Sequence, residues 1–551
     1  MLSNEVGESI PPDTAHAVSV SLPTWKANVG YEEGEDWVLS KMKTGYPRFF
    51  VHKAIQAFAN AILRRYGSPM ENASLFSSHA VAERCVEFFL NQVPSISLDK
   101  SHTGDGVSSR RAEYCHKAFN EGHLATHQYI TGSQNSDDPK TPSKGPRRYQ
   151  KKDSVDLSSV DKTDGKESVQ FVEERFGRNL DVSLAASAKL AIRRRIAGAL
   201  TANVDLKEAL KISETPTRTE QVSGLCENDV YLYPCGMSSI FNTHRSMVAI
   251  RGQLKSISFG FPYIDTLKIL EKWGPGCLFY GHGEAPDLDD LEHRCEAGEK
   301  YLALFCEFPG NPLLKTPDLR RIRALADRYD FAVVVDETIG NFINVHVLPY
   351  ADIVVSSLTK VFTGECNVMG GSSVLNPQSR YYSRLKEFMA SDYEDNYWHE
   401  DAIFMERNSR DFVSRIARMN QNAEAVCDTL QTSPIVKEVY YPKYSPTRAN
   451  YDYCRNPNGG YGGLLSVTFK TTAQAVTFFD KLETAKGPSL GTNFTLSSPY
   501  VILAHYGELE WAAQYGIEAD LVRISVGLED AADLRAKVER ALAVAANAPA
   551  M

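Results

Sequence analysis

Short uninterrupted apolar runs alternate with amphipathic stretches through the middle of this chain. Residues 301–306 (YLALFC) predict a buried strand, and 317–329 (PDLRRIRALADRY) a helix with Pro317 suited to its first turn. Residues 331–335 (FAVVV) and 353–355 (IVV) predict two more buried strands. Strands apolar on both faces, separated by helices, predict a parallel sheet covered on both sides. Residues 380–430 read as largely helical. Beyond them, 464–469 (LLSVTF) and 521–525 (LVRIS) read as strands of a smaller α/β unit. Nearer the start, residues 51–65 bring Ile55, Phe58, Ile62 and Leu63 to one face of a predicted helix. An aromatic turn, Gly45-Tyr46-Pro47-Arg48-Phe49-Phe50, precedes it.

From 131 to 168 large apolar residues almost vanish, so that stretch builds no core and reads as a flexible linker or surface insertion. The expected divisions are an N-terminal extension (1–130), the linker (131–168), a large domain (169–404) and a C-terminal small domain (405–551). No internal repeat is visible.

Composition narrows the classes. The 551 residues are 43% hydrophobic and 23% charged, ordinary for a globular chain with a sizeable core. A net charge of −9 gives no global field toward nucleic acid or an anionic membrane, and neither is expected as a partner. The one basic run, 144–152 (KGPRRYQKK), falls in the linker and reads as solvated. No apolar run is long enough to span a bilayer. The first residues carry acids, lack arginine and lack an apolar segment, unlike a secretory signal or transit peptide. Ten scattered cysteines with no C-x-x-C pair predict reduced thiols and a cytoplasmic setting. His123 and His127, four apart, have no evident third ligand, so no metal is expected. The acidic stretch from Glu394-Asp395 to Glu400-Asp401 reads as a solvated helix surface.

Candidate chemistry gathers at strand ends, where open α/β sheets bind ligands. Asp336 follows the strand at 331–335, and Ser356-Ser357-Leu358-Thr359-Lys360 follows the next, delivering hydroxyls and an amine. Tyr233-Pro234-Cys235-Gly236-Met237-Ser238-Ser239-Ile240 reads as a turn entering a helix, where Gly236 lets an anion approach the backbone. Arg178 and Arg523 are candidate anion clamps. A pyridoxal-phosphate site needs this set: an amine for the imine, an acid for the ring nitrogen, amides and hydroxyls for the phosphate. Singly the signals are ordinary, since most strand-end acids cap or pair and most lysines are surface residues. Cys235 beside the turn reads as a small packing residue.

These motifs in this order resemble the cystathionine-synthase and lyase family of pyridoxal-phosphate enzymes, in the pattern of the fungal cystathionine gamma-synthases. The resemblance covers about residues 170–551, and the aromatic turn with its helix is similar to the fungal N-terminal extension. It implies a large aspartate-aminotransferase-like (fold type I) domain with a mainly parallel sheet, and a smaller C-terminal α/β domain. The family's S-x-T-K reads Ser357-Leu358-Thr359-Lys360, which implies a Schiff base on Lys360 and phosphate contacts from Ser357 and Thr359. Its D-N-T-F reads Asp336-Glu337-Thr338-Ile339, assigning Asp336 to the ring nitrogen. Its S-G-M-S-A reads Cys235-Gly236-Met237-Ser238-Ser239, giving the phosphate the amides of Gly236 and Met237. Its E-x-P-x-N-P is intact at 307–312, with Asn311 implied to reach the phenolic oxygen. The elements Ser489-Leu490-Gly491 and Arg523-x-Ser525-x-Gly527-x-Glu529 match its substrate-carboxylate site.

Two positions depart. The family's Y-x-R, which clamps the phosphate of a neighbouring subunit, reads Phe176-Gly177-Arg178; Tyr46-Pro47-Arg48 matches in type but lies well upstream, so Arg178 is favoured. The family's ring-stacking tyrosine is Phe259, which stacks without a hydroxyl, leaving any proton role to Lys360 or Tyr263. The resemblance implies γ-replacement on an O-acylhomoserine by cysteine to give cystathionine, in a homotetramer built from dimers. Alternatives are γ-replacement or γ-elimination with sulfide or a carbon nucleophile, and a non-catalytic paralogue acting through the extension.

Overall fold

The computed structural model describes residues 5–67, 73–91, 103–122, 184–212 and 222–548. The linker, the histidine pair and the Phe176-Gly177-Arg178 motif lie outside them. The sheet foreseen in the middle of the chain has seven strands: β3 (Val230–Tyr233), β4 (Lys255–Phe259), β5 (Cys277–Tyr280), β6 (Tyr301–Glu307), β7 (Ala332–Asp336), β8 (Ile353–Ser357) and β9 (Gly371–Leu375). Two short strands, β1 (Ser9–Ile10) and β2 (Ser19–Val20), precede them as an antiparallel pair. The order across the large sheet is β3-β9-β8-β7-β6-β4-β5, with β9 antiparallel to both neighbours and the other pairings parallel.

Alternate residues of β7 and β8 feed two separate cores. Val333, Val335 and Val354 join one, while Ala332, Val334, Ile353 and Val355 join the other. That is why these strands read as continuous apolar runs. The helix foreseen at 317–329 begins later, at Leu319, because the Asp318 side chain caps it by accepting from the amides of Arg320 and Arg321. The strand foreseen at 331–335 is shifted one residue, since Asp330 adopts a left-handed turn that carries Phe331 out of the ladder.

Register aligns the strand ends. Phe259 pairs with Cys306, Glu307 with Asp336, and Asp336 with Val355. The carboxyl ends of β4, β6, β7 and β8 therefore form one rim. A second sheet of five strands follows: β10 (Val436–Tyr440), β11 (Leu464–Phe469), β12 (Ala485–Lys486), β13 (Leu496–Pro499) and β14 (Val522–Ser525), in the order β10-β11-β14-β13-β12. The fold is thus α/β, with a mainly parallel large sheet, a smaller C-terminal sheet and N-terminal elements packed on both.

Those N-terminal elements dock closely. Residues 17–22 cross the rim, with Val18 N donating to Cys366 O at 2.9 Å and Leu22 N to Lys486 O at 2.9 Å. Ser19 Oγ donates to Pro488 O at 2.5 Å. The helix foreseen at 51–65 spans Lys53–Tyr66 and packs Phe58 and Ala61 against Ala112 and Phe119 of a helix at Ser109–Asn120. One correction arises here. Asp401 is buried rather than solvated, in an ion pair with Arg110 of that second helix at 3.1 Å. Asp395 stays exposed, as expected of a surface acid.

Candidate active site

The helix Gly236–Arg251 starts at the rim with Cys235 as N-cap, and the Cys235 side chain makes no capping bond. Its first amides are left for an anion. Gly236 has no room for a side chain, because a Cβ there would lie 2.7 Å from Ser357 Cβ. The Ser357 side chain is therefore held against the turn. Burial pushes the Cys235 thiol up to about 11, and its Sγ meets Gly104 O at 3.3 Å, so it is a protonated packing group. The Thr359 hydroxyl donates to Gly370 O at 3.2 Å and accepts from Gly370 N at 3.1 Å, bracing the loop before Lys360.

On the opposite side of the rim stand two carboxyls. Asp336 accepts from Thr338 N at 2.8 Å, and Thr338 Oγ1 accepts from Ser357 N at 2.8 Å, tying the acid to the hydroxyl-bearing strand. Its cross-strand neighbour Glu307 accepts from Tyr263 N at 2.5 Å and Asn311 N at 3.0 Å. Burial raises both carboxyls, and the Asp336 charge raises Glu307 further. A buried cation between them and the anion turn would relieve that cost. Phe259, fully buried at the end of β4, shares the rim.

Lys360 is 8% exposed, and its Nζ donates to Ser489 Oγ at 2.9 Å and to Tyr46 Oη at 3.0 Å. Ser489 is held close because Gly491, at φ 74°, sits where a Cβ would be 2.4 Å from Val361 N. The Ser489 carbonyl accepts from Arg523 Nη2 at 2.7 Å, and Asn311 Oδ1 accepts from Nη1 at 3.1 Å. The Arg523 guanidinium lies 4.4 Å from the Tyr500 ring centre, and Asn311 Nδ2 donates to Tyr500 Oη at 2.9 Å. Burial lowers the Arg523 pKa, and its partners here are neutral oxygens.

Strand register and contacts thus bring Gly236, Phe259, Asn311, Asp336, Ser357, Thr359, Lys360, Ser489 and Arg523 to the rim, with Met237 in the first turn of the helix there. Three further residues in contact with this set were not read from sequence: Glu307, whose motif was recognised but not its pairing with Asp336; Tyr500; and Tyr46 as a partner of Lys360. Tyr46 was readable only as an upstream Y-x-R match. Its Arg48 pairs instead with Asp265 at 3.2 Å and lies 5.3 Å over the Tyr263 ring. Among the described residues no cluster of three histidine, cysteine or acidic side chains is placed to hold a metal.

The residues fit pyridoxal phosphate: an uncapped helix start beside Ser357 for the phosphate, raised carboxyls for a protonated ring nitrogen, and a buried amine between them. Comparison with known proteins agrees. The family of Cys/Met metabolism PLP-dependent enzymes matches residues 215–543, and the N-terminal domain of fungal trans-sulfuration enzymes matches 54–115. The chain is 53% identical to a cystathionine gamma-synthase of Neurospora crassa, over 98% of each chain. It is 38% identical to a cystathionine gamma-synthase of Saccharomyces cerevisiae, over 98% of this chain and 99% of that one. The solved structure of cystathionine gamma synthase from Xanthomonas oryzae pv. oryzae, in complex with aminoacrylate and cysteine, covers 65% of this chain and 98% of its own. Its TM-score of 0.52 at 22% identity is a likeness of fold. The catalytic region matched across 215–543 and the cleft that fits the cofactor together identify this chain as a member of the pyridoxal-phosphate-dependent enzymes of Cys/Met metabolism.

Proposed function

We propose that this enzyme joins an O-acylhomoserine to cysteine by γ-replacement, giving cystathionine. The observation that carries the reading is Arg523, a buried guanidinium partnered by neutral oxygens within a lysine-bearing cleft. A substrate carboxylate would supply its missing counter-charge through two parallel bonds. The full-length likeness to fungal cystathionine gamma-synthases supports the choice of substrates.

When bound, pyridoxal phosphate supplies an electron sink that stabilises negative charge at the substrate's Cα and Cβ. The protein's share is positional. Arg523 fixes the carboxylate, so Cα and Cβ come within reach of Lys360. The Lys360 amine takes and returns the protons at those carbons. Asp336 would hold a proton on the ring nitrogen, and the amides of Gly236 and Met237 with the Ser357 hydroxyl would hold the phosphate. The Thr359 hydroxyl, read from sequence as a phosphate contact, is engaged with Gly370 and would steady the loop that carries the lysine, and Phe259 would lie against the ring. Asn311, through Arg523 and Tyr500, sets the carboxylate clamp. Arg178 is proposed to reach a neighbouring subunit's phosphate in a homotetramer built from dimers. Ten cysteines, all free, suit the cytoplasm. Among the described residues no helix is long and apolar enough to cross a membrane.

Purified enzyme incubated with acetyl- or succinylhomoserine, with and without cysteine, tests the reading. Cystathionine should form only when both are present. Turnover of an ester at the same rate without cysteine, or product only with sulfide, would overturn it.

A further inference from the structure

The N-terminal domain matched at 54–115 reaches the anion turn that starts the helix Gly236–Arg251. Gly104, at φ 70°, lays its backbone against that turn. A Cβ there would lie 2.6 Å from Met237 Cβ, 2.7 Å from Cys235 Sγ and 2.8 Å from Ser238 N. Its carbonyl accepts from the Cys235 thiol at 3.3 Å. The next residue, Asp105, is buried and accepts from Ser238 Oγ and, at 3.3 Å, from Asn242 Nδ2. Ser238 and Asn242 stand one turn apart on one face of the helix. Two attachments on one face fix how the helix is rolled about its axis. That roll sets the direction in which the amides of Gly236 and Met237 point.

The brace is held from behind. Ser77 N donates to Asp105 O at 3.2 Å, and Phe76 forms an antiparallel bridge with Gly106. The Ser108 side chain then caps the helix Ser109–Asn120, whose Arg110 makes the buried ion pair with Asp401 at 3.1 Å. On the other side of the turn, Ser357 stands against Gly236. The start of the helix thus lies between the end of β8 and the N-terminal domain. Burial of the Asp105 carboxyl is costly, and the charges of Arg84 and Arg245 offset only part of that cost. An apolar side chain would avoid the cost. A carboxyl adds direction, because it accepts from two donors fixed on the helix.

We propose that Gly104 and Asp105 are positioning residues of the cofactor site: they aim the amides of Gly236 and Met237 at the phosphate, and the N-terminal domain forms the outer wall of the phosphate cup. The inference rests on that turn holding the cofactor's phosphate, and deepens the reading above.

Full-length protein stripped of cofactor and titrated with pyridoxal phosphate, or with pyridoxal, provides the test. Both aldehydes can join Lys360 and turn the protein yellow, and only one carries a phosphate. Asp105→Ala should weaken pyridoxal phosphate about ten- to a hundredfold and change pyridoxal by about twofold or less. Ser238→Ala removes one attachment from the helix side, a smaller change that tests the same brace should Asp105→Ala fail to fold. It should weaken pyridoxal phosphate about three- to tenfold and leave pyridoxal within about twofold. Equal weakening of both aldehydes is a general loosening and overturns the proposal, as does wild-type affinity for pyridoxal phosphate in either variant. A wild-type protein that binds the two aldehydes equally would overturn the reading of the turn itself, and the proposal with it. No ester or nucleophile enters the titration, so the outcome is independent of which substrates the enzyme joins.

Discussion

Arg523 separates substrate recognition from cofactor binding at the scale of one side chain. Its two bonds to Asn311 and Ser489 fix the fork in a plane, and an ammonium cannot present two parallel donors. Arg523→Lys should keep the yellow cofactor and lose roughly ten- to several-hundred-fold in kcat/KM, about 1.5–3 kcal/mol for each charge-assisted bond. Steady-state kinetics beside an absorbance titration of bound cofactor decides it. Wild-type efficiency, or failure through lost cofactor, would remove the carboxylate role. Lys360, Asp336 and Arg523 could be proposed from sequence because covalent and ionic chemistry demands particular residue types in a fixed order. Tyr46 could not. Its contact with Lys360 spans 314 positions, and no local pattern encodes a contact that distant.

At the scale of elements, the helix that starts at Gly236 meets an N-terminal segment. Asp105 is 4% exposed and accepts from Ser238 Oγ and from Asn242 Nδ2 of that helix. Burial pushes its carboxyl up to about 6 despite those bonds. The folded protein therefore binds a proton there more tightly than the unfolded chain does. The stability this group contributes is complete below its unfolded pKa of 3.8 and is lost as pH rises through about 6. Asp105→Asn removes that dependence. Asparagine turns a donor toward Ser238 and Asn242, so the variant starts with a penalty. Between about pH 4 and pH 7 it should gain on wild type by up to about 3 kcal/mol. Urea midpoints across that range measure the gain, and a gap that does not change with pH would refute it. The buried strands were readable because both faces are apolar. Their ends were less so, since Asp318 and Asp330 set the limits of one helix through a cap and a left-handed turn that hydropathy does not record.

For the whole molecule, the sequence divided an extension from a catalytic region, and segments of that extension, residues 18–22 and Tyr46, lie against the rim that carries Lys360. Hydrophobic patterning announces elements but not which element docks on which. Arg110–Asp401, a buried pair across that boundary, was misread for this reason. If Arg178 clamps a neighbour's phosphate, each active site draws on two chains. Subunits carrying only Lys360→Ala should be inactive, and those carrying only Arg178→Ala should retain cofactor poorly. Co-refolding the two should restore part of the activity, because some mixed sites combine an intact lysine with an intact clamp. No recovery in verified mixed oligomers, or a fully active monomer, would place the clamp elsewhere.

The bond from Ser19 to Pro488 joins positions 469 residues apart, and its neighbours at 18–22 make similar leaps. A ribosome makes that strap hundreds of residues before its dock, 469 positions for Ser19 and Pro488. Until the C-terminal part is made, Val20 and Leu22, fully buried in the finished protein, lack Leu503 from the cluster they form with Tyr31, Val38 and Met42. Closing so long a loop must await the C-terminal sheet, so Tyr46 reaches Lys360 near the end of folding. Recovery of catalytic activity should accordingly trail recovery of the large sheet when the denatured chain is diluted into buffer.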